Sequence, residues 1–377
     1  LLTSLDNLNT LELSDNPHQE SASMGLPQGF VVESVEVHAA GEAGRVITNM
    51  GHLIEGDTMA ERFEFVKKNF DGFRKLIIRE PRGYPAVCGV LITPPVEPDS
   101  HYGIIVLEQG QFTPMSGSNT ICSVTAMLET GRIPMQEPST IVKIDTAVGQ
   151  ISVTANCKDG KVTSVQIENV PAFVVHKDYP LELEEYGVIP TDIIFGGQFF
   201  AQTDIANFGL TIDTKHSKEL LKIGALVKLA CNEQIQVEHP ENPNIKNVNL
   251  IVFHSGTPQK GVPIRNTMVM TYASLSHDPN TWTGTFDRSP CGTGTSARVA
   301  GLHARGLLPV GESFIHESII GTHFVGKALR ETKVGPYDAV VPEITGTGWI
   351  IGEAKWVLDP TDPFQEGYSL PDIWPPE

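Results

Sequence analysis

Two short segments carry the residue types that could do chemistry. Residues 116–134 begin Ser116-Gly117-Ser118-Asn119-Thr120, and residues 291–309 begin Cys291-Gly292-Thr293-Gly294-Thr295. The two windows align without gaps. Gly117/Gly292, Thr120/Thr295, Val124/Val299, Gly131/Gly306 and Pro134/Pro309 are identical, and Ser116/Cys291 and Ser118/Thr293 are near-equivalents. Each window reads as a glycine turn, a helix, a glycine stop and a proline, the start and stop signals of one helix. An internal repeat of this kind is sought before other features. It predicts two equivalent helices, each with a nucleophile-type side chain in its first turn.

A helix N-terminus offers unpaired N–H groups and a partial positive charge. Glycine there lets an anion approach the backbone closely. Two such termini facing one cleft would grip a small carboxylate, with Ser116 and Cys291 beside its α-carbon. A thiol in that position is expected to have its pKa lowered from about 8.5 toward neutrality. It could then remove or return an α-proton, while the N–H groups stabilise the enolate-like charge. Taken singly, Ser116 reads as a helix cap and Cys291 as a small buried side chain; the pairing argues for more. Asp287, four residues before Cys291, is placed to hold a ligand ammonium. Cys88, Cys122, Cys157 and Cys231 have no partner motif and read as structural. The histidines show no HExxH or similar spacing, so no metal site is expected. Gly292-Thr-Gly-Thr-Ser lacks the lysine of a phosphate loop.

Elements that would position these groups follow from periodicity. Val31 to His38 alternates as a half-buried strand. Thr58 to Phe73 has helical spacing with a cap at Asp57 or Thr58. Leu76 to Val106 is strand-like and broken by Pro and Gly. Residues 150–175 read as a hairpin turning at Asp159-Gly160. Ile193 to Ala201, Asn249 to His254 and Thr267 to Ala273 are strand-like, and Ser217 to Cys231 is helical.

The chain has 377 residues and a formal net charge of −18. That length suggests two or three domains. The acidic balance argues against nucleic acid or an anionic membrane as partner. The 35 glycines and 27 prolines point to a turn-rich, β-rich architecture. Five cysteines without a CxxC pair exclude a closed disulfide framework and suit a reduced, intracellular setting. No apolar run is long enough for a membrane-spanning helix. Leu1 to Phe30 lacks a signal-peptide pattern and reads as a polar, poorly ordered lead-in.

Asp287-Arg-Ser-Pro-Cys-Gly-Thr-Gly-Thr-Ser-Ala297 resembles the second active-site motif of the proline racemase family. Pro114-Met-Ser-Gly-Ser-Asn-Thr120 resembles its first, and Val37-His-Ala-Ala-Gly-Glu42 its early strand and turn. Asn169 to Phe173 and Phe195 to Ala201 are also similar to family segments. The likeness runs from about Val31 to about Val357. Racemases and epimerases of the family carry Cys at both motif positions, commonly with His two residues after the first. Here those positions are Ser116 and Ser118. A Ser/Cys pair is similar to the trans-3-hydroxy-L-proline dehydratase branch. The resemblance therefore implies a cofactor-independent hydro-lyase that removes the Cα proton and the 3-hydroxyl, giving Δ1-pyrroline-2-carboxylate. Weak 4-hydroxyproline epimerisation is an implied side activity, and 4-hydroxyproline 2-epimerase or proline racemase is the alternative. Ser116 and Cys291 would be catalytic, with the identity of the base left open between them. Gly117, Ser118, Gly292 and Thr293 would bind the carboxylate and Asp287 the ring ammonium.

The implied fold is α+β and similar to diaminopimelate epimerase: two pseudo-symmetric domains, each a curved, mostly antiparallel sheet around a central helix. The expected division is residues 31–192 plus about 343–357 for the first domain and 193–342 for the second. Residues 1–30 are the lead-in and 358–377 a tail. The resemblance implies a cytoplasmic enzyme acting on a small imino acid, with no metal, cofactor, nucleic acid or membrane. Family members are often homodimers, and that expectation extends to this chain.

Overall fold

The computed structural model describes residues 30–271, 275–370 and 373–374. The expected lead-in, Phe30 apart, and the end of the strand expected to reach Ala273 lie outside the described residues.

Local signals set the elements around the site. Val31–Ala39 is a strand that buries Val32, Val35, Val37 and Ala39. It turns at Ala40 and Gly41, both at positive φ, into Glu42–Ile47. Helix α1 (Met59–Asn69) starts on a reciprocal capping box between Thr58 and Glu61. The single helix expected over Thr58–Phe73 breaks at Phe70, whose ring is buried with Val66, Phe73 and Leu76. A second helix, α2 (Asp71–Ile78), begins there. Leu76-Ile77-Ile78, expected to be strand-like, is thus helical; a short apolar run does not separate the two by periodicity. The hairpin Gly149–Lys158/Lys161–Glu168 turns at Asp159-Gly160, both left-handed, as expected.

Three further helices complete the set among the described residues: α3 (Gly117–Glu129), α4 (Ser217–Gln234) and α5 (Gly292–His303). Gly131 and Gly306 follow α3 and α5 at φ 71° and 70°, the left-handed stop that the repeat predicted.

The strands form mixed, barrel-like rings about α3 and α5. Around α3, Val31–Ala39 pairs antiparallel with Glu42–Ile47, which runs parallel to Cys88–Thr93. Tyr102–Leu107 follows antiparallel and pairs parallel with Ser139–Thr146. Gly149–Lys158 and Lys161–Glu168 continue antiparallel. Lys161–Glu168 then meets Glu343–Gly346, and Gly348–Val357 pairs back onto Val31–Ala39. Around α5 the same order of pairings recurs. Gly187–Phe195, Phe199–Asp204, Leu250–His254, Ile264–Thr271, Ser313–Glu317, His323–Val334 and Tyr337–Gly346 follow one another. Again the second-to-third and fourth-to-fifth pairs are parallel. Ala172–Leu183 closes this ring, pairing with Tyr337–Gly346 and with Gly187–Phe195. The division expected at 192/193 falls inside it. Strand propensity cannot assign a strand to one sheet or another; partner choice is tertiary.

Each parallel pair needs a helical crossover. In the first ring α1 and α2 supply one on the outside and α3 the other through the middle; α4 and α5 do the same in the second. Because α3 and α5 are surrounded, both are buried on nearly every face. Val124 and Val299, expected in the core at matching offsets, are fully buried.

Candidate active site

The N-termini of α3 and α5 meet glycine to glycine. A Cβ placed on Gly117 would lie 3.4 Å from the Gly292 Cα, and one on Gly292 would lie 3.3 Å from the Gly117 Cα. A side chain at either position would crowd the facing backbone. The helix starts match: Thr120 N–H donates to Ser116 O at 2.9 Å and Thr295 N–H to Cys291 O at 2.8 Å. The hydroxyls two residues on also match. Ser118 Oγ is 3.4 Å from Ser116 Oγ, and Thr293 Oγ1 is 3.7 Å from Cys291 Sγ. The structure thus brings Ser116, Gly117, Ser118, Cys291, Gly292 and Thr293 to one place. Cys291 there is only 4 % exposed, whereas Ser116, Gly117 and Thr293 are partly exposed. A cavity of about 600 Å³ opens at the opposite end of α5 beside Ala300 and His303, away from these side chains.

Cys291 sits at φ 64°, a left-handed conformation that costs a non-glycine residue energy. It turns the side chain back on its own helix, where Sγ accepts the Gly294 N–H at 3.3 Å. The Cys291 N–H donates to Ser289 Oγ at 3.0 Å. Ser289 in turn donates from Oγ and N to Asp287 Oδ1, at 2.7 and 2.8 Å. The lowered thiol pKa expected for Cys291 is corrected here. Burial pushes the thiol well above its usual value, and the adjacent Asp287 carboxylate adds to this. Both disfavour a thiolate more than the helix terminus favours it.

Asp287 also faces Glu42. Both are buried, and their carboxyls hydrogen-bond. Glu42 Oε2 accepts the Arg288 N–H at 2.8 Å. Burial and the charge of Asp287 raise the Glu42 pKa well above the ordinary carboxyl range, and burial raises that of Asp287. Two facing carboxyls in a dry site hold one proton between them. Glu42 comes from the first ring and Asp287 from the second, so the pair spans the junction.

Sequence reasoning placed Glu42 in a characteristic turn but gave it no role, and nothing local marks it. Cys88, read as structural, is half-buried near these carboxyls. Burial, Glu42, Glu108 and Asp287 push its thiol up, and it hydrogen-bonds Asn119. By contrast Cys122, Cys157 and Cys231 are buried core thiols.

Residues 34–369 match the family described as Proline racemase. The chain belongs to that family. It is 39% identical to a 4-hydroxyproline 2-epimerase of Streptosporangium roseum, over 90% of this chain and 98% of the relative. It is 37% identical to a proline racemase of Clostridioides difficile, over 90% and 98%. Among solved structures it is similar to a hydroxyproline epimerase of Agrobacterium vitis with bound trans-4-hydroxy-L-proline. The TM-score there is 0.81 at 36% identity, covering 92% of this chain and 96% of that one. A PhzF-family protein of Bacillus anthracis shares the fold alone, at TM-score 0.55 and 11% identity. These names favour epimerase or racemase chemistry over the dehydratase expected from the Ser/Cys pair. Among the described residues no helix is long and apolar enough to cross a membrane.

Proposed function

We propose that this member of the proline racemase family exchanges the α-proton of a cyclic imino acid without a cofactor, acting as a 4-hydroxyproline 2-epimerase. The observation that carries the reading is the meeting of two helix starts at Gly117 and Gly292 with Ser116 and Cys291 beside them. A substrate carboxylate between the termini takes N–H donors from Gly117, Ser118, Gly292 and Thr293. Its ring ammonium pairs with Asp287, and Cα then lies between Ser116 and Cys291. One side chain takes the α-proton while the other delivers a proton to the opposite face. The N–H groups stabilise the charge that develops on the carboxylate. The raised thiol pKa fits this sequence. Cys291 is protonated before substrate arrives, and an ammonium on Asp287 cancels the carboxylate charge that holds the thiol up. The thiol then releases its proton to solvent and the thiolate takes the α-proton, while Ser116 gives its hydroxyl proton to the opposite face and is reprotonated from solvent.

A second reading is dehydration of trans-3-hydroxy-L-proline, favoured by one observation: Ser116 stands where a second thiol would serve racemisation better. A hydroxyl is a far weaker acid, which impairs exchange on one face, but it can relay a proton to a leaving hydroxide. Incubation with trans-4-hydroxy-L-proline, L-proline and trans-3-hydroxy-L-proline, followed by optical rotation and imine detection, tests both. Change of rotation with trans-4-hydroxy-L-proline is the expected result. Imine from trans-3-hydroxy-L-proline alone would overturn it in favour of the dehydratase.

The recurring order of strand pairings supports two pseudo-symmetric, diaminopimelate-epimerase-like domains meeting at this site. We draw their boundary near Asn169 to Pro171, with Gly348–Val357 returning to the first. A cytoplasmic homodimer remains part of the proposal.

A further inference from the structure

At the third residue of each repeat helix stands a hydrogen-bond donor to the reacting side chain, but the two donors differ. On α5 it is the Gly294 backbone N–H, 3.3 Å from Cys291 Sγ. On α3 no side chain takes up a first-turn N–H. Ser116 has extended backbone, φ −147° against +64° for Cys291. Instead the side chain of Asn119, at the position matching Gly294, donates from Nδ2 to Ser116 Oγ at 3.1 Å. Asn119 is 2 % exposed and is held in place from several sides. Its amide hydrogen-bonds Cys88, and its Oδ1 would lie 3.2 Å from a Cβ on Gly44, so glycine there leaves it room. Oδ1 itself has no hydrogen-bond partner among the described residues.

We infer that Asn119 is a positioning residue that aims the Ser116 hydroxyl at the substrate and makes it a stronger acid. With one lone pair occupied by the amide, the hydroxyl hydrogen is left to point to Ser118 Oγ, 3.4 Å away, or into the cleft. The donor also stabilises negative charge on Oγ whenever the proton is given up, which lowers the hydroxyl pKa. The residue offsets part of the disadvantage of serine against cysteine at this position. The inference rests on proton exchange at Ser116 as proposed above.

The test compares Asn119→Ala and Asn119→Asp in the Ser116 enzyme and in a Ser116→Cys background, on the substrate that the wild-type chain turns over. Asp is nearly isosteric and cannot donate when ionised. Both variants are expected to lower kcat about tenfold or more, the scale of losing one oxyanion donor, with KM changed less than about threefold. In the Ser116→Cys background the loss shrinks several-fold, because sulfur is a weak acceptor. Binding of pyrrole-2-carboxylate and the melting temperature report any general damage. Asn119→Asp, nearly isosteric, carries the test if Asn119→Ala fails to fold. Equal losses in both backgrounds would overturn the role of Asn119 while leaving epimerisation standing. Absence of turnover by the wild-type chain on every imino acid removes the functional reading and this inference with it.

Discussion

The starts of α3 and α5 are built alike and equipped differently. Both place a side chain at the cap, a glycine next, a hydroxyl after it and a donor third. Yet Cys291 is bent into left-handed backbone, folded onto its own helix and held protonated by burial and Asp287. Ser116 lies in extended backbone, is less buried and leans on the Asn119 side chain. A repeat can therefore keep two glycine-led helix starts face to face while the side chains at their caps diverge. The proposed carboxylate cradle depends on backbone N–H groups and glycine, and the chemistry on the side chain that occupies one position.

Breaking the comparison at the thiol has the largest expected effect. Cys291→Ala should cut kcat by about three orders of magnitude, the span of a lost general acid or base; retention of more than a tenth of wild-type turnover would remove Cys291 from the mechanism. Alkylation of Cys291 should likewise abolish activity, and pyrrole-2-carboxylate should protect it. In the free enzyme its alkylation rate should lag that of a free thiol and keep rising above pH 9, because burial raises its pKa.

Next comes the cradle. Gly117→Ala and Gly292→Ala each push a Cβ to within 3.3–3.4 Å of the facing backbone. Both should raise KM about tenfold or more, because the displaced backbone misaims N–H donors worth roughly 1.5–3 kcal/mol each to a charged group. If only one does so, the two termini do not share one carboxylate.

Making the halves equal is a smaller change. Ser116→Cys should raise L-proline racemisation and reduce any imine formed from trans-3-hydroxy-L-proline. A rise in imine instead would argue that the hydroxyl is not what tunes the reaction.

The carboxyl pair gives a pH-dependent effect on stability. The folded pKa of Glu42 is raised, so the native state holds a proton that the unfolded chain releases. Its contribution is present below the unfolded value, about pH 4, and is lost as pH rises through the folded value. Glu42→Gln imitates the protonated form. Its melting temperature should match wild type near pH 4 and exceed it near pH 8; the reverse order would mean that the pair is ionised. The smallest effect compares the cores. Val124→Ala and Val299→Ala, both fully buried, should each cost about 2 kcal/mol in denaturant unfolding. A large difference would show that the two helices are not packed equivalently.

Much of the site was legible in the chain itself. The repeat at 116–134 and 291–309 announced two helices with glycine starts and stops, and the left-handed Gly131 and Gly306 match it. Local rules suffice for such features because caps and turns depend on neighbours in sequence. The Asp159-Gly160 hairpin and the Thr58 cap were readable for the same reason. The break at Phe70, the helical Leu76-Ile77-Ile78 and the sheet that receives Ala172–Leu183 were not. Each depends on which distant surface buries the residue.

The sequence by itself determined which side chains could react and that two matching helix starts would present them. Only the tertiary structure decided that Gly117 touches Gly292, that Glu42 faces Asp287 across the junction and that Asn119 serves Ser116. It also reversed the expected acidity of Cys291. A helix terminus is a local property that favours the thiolate, whereas burial and a carboxylate beside it come from the folded whole and outweigh it.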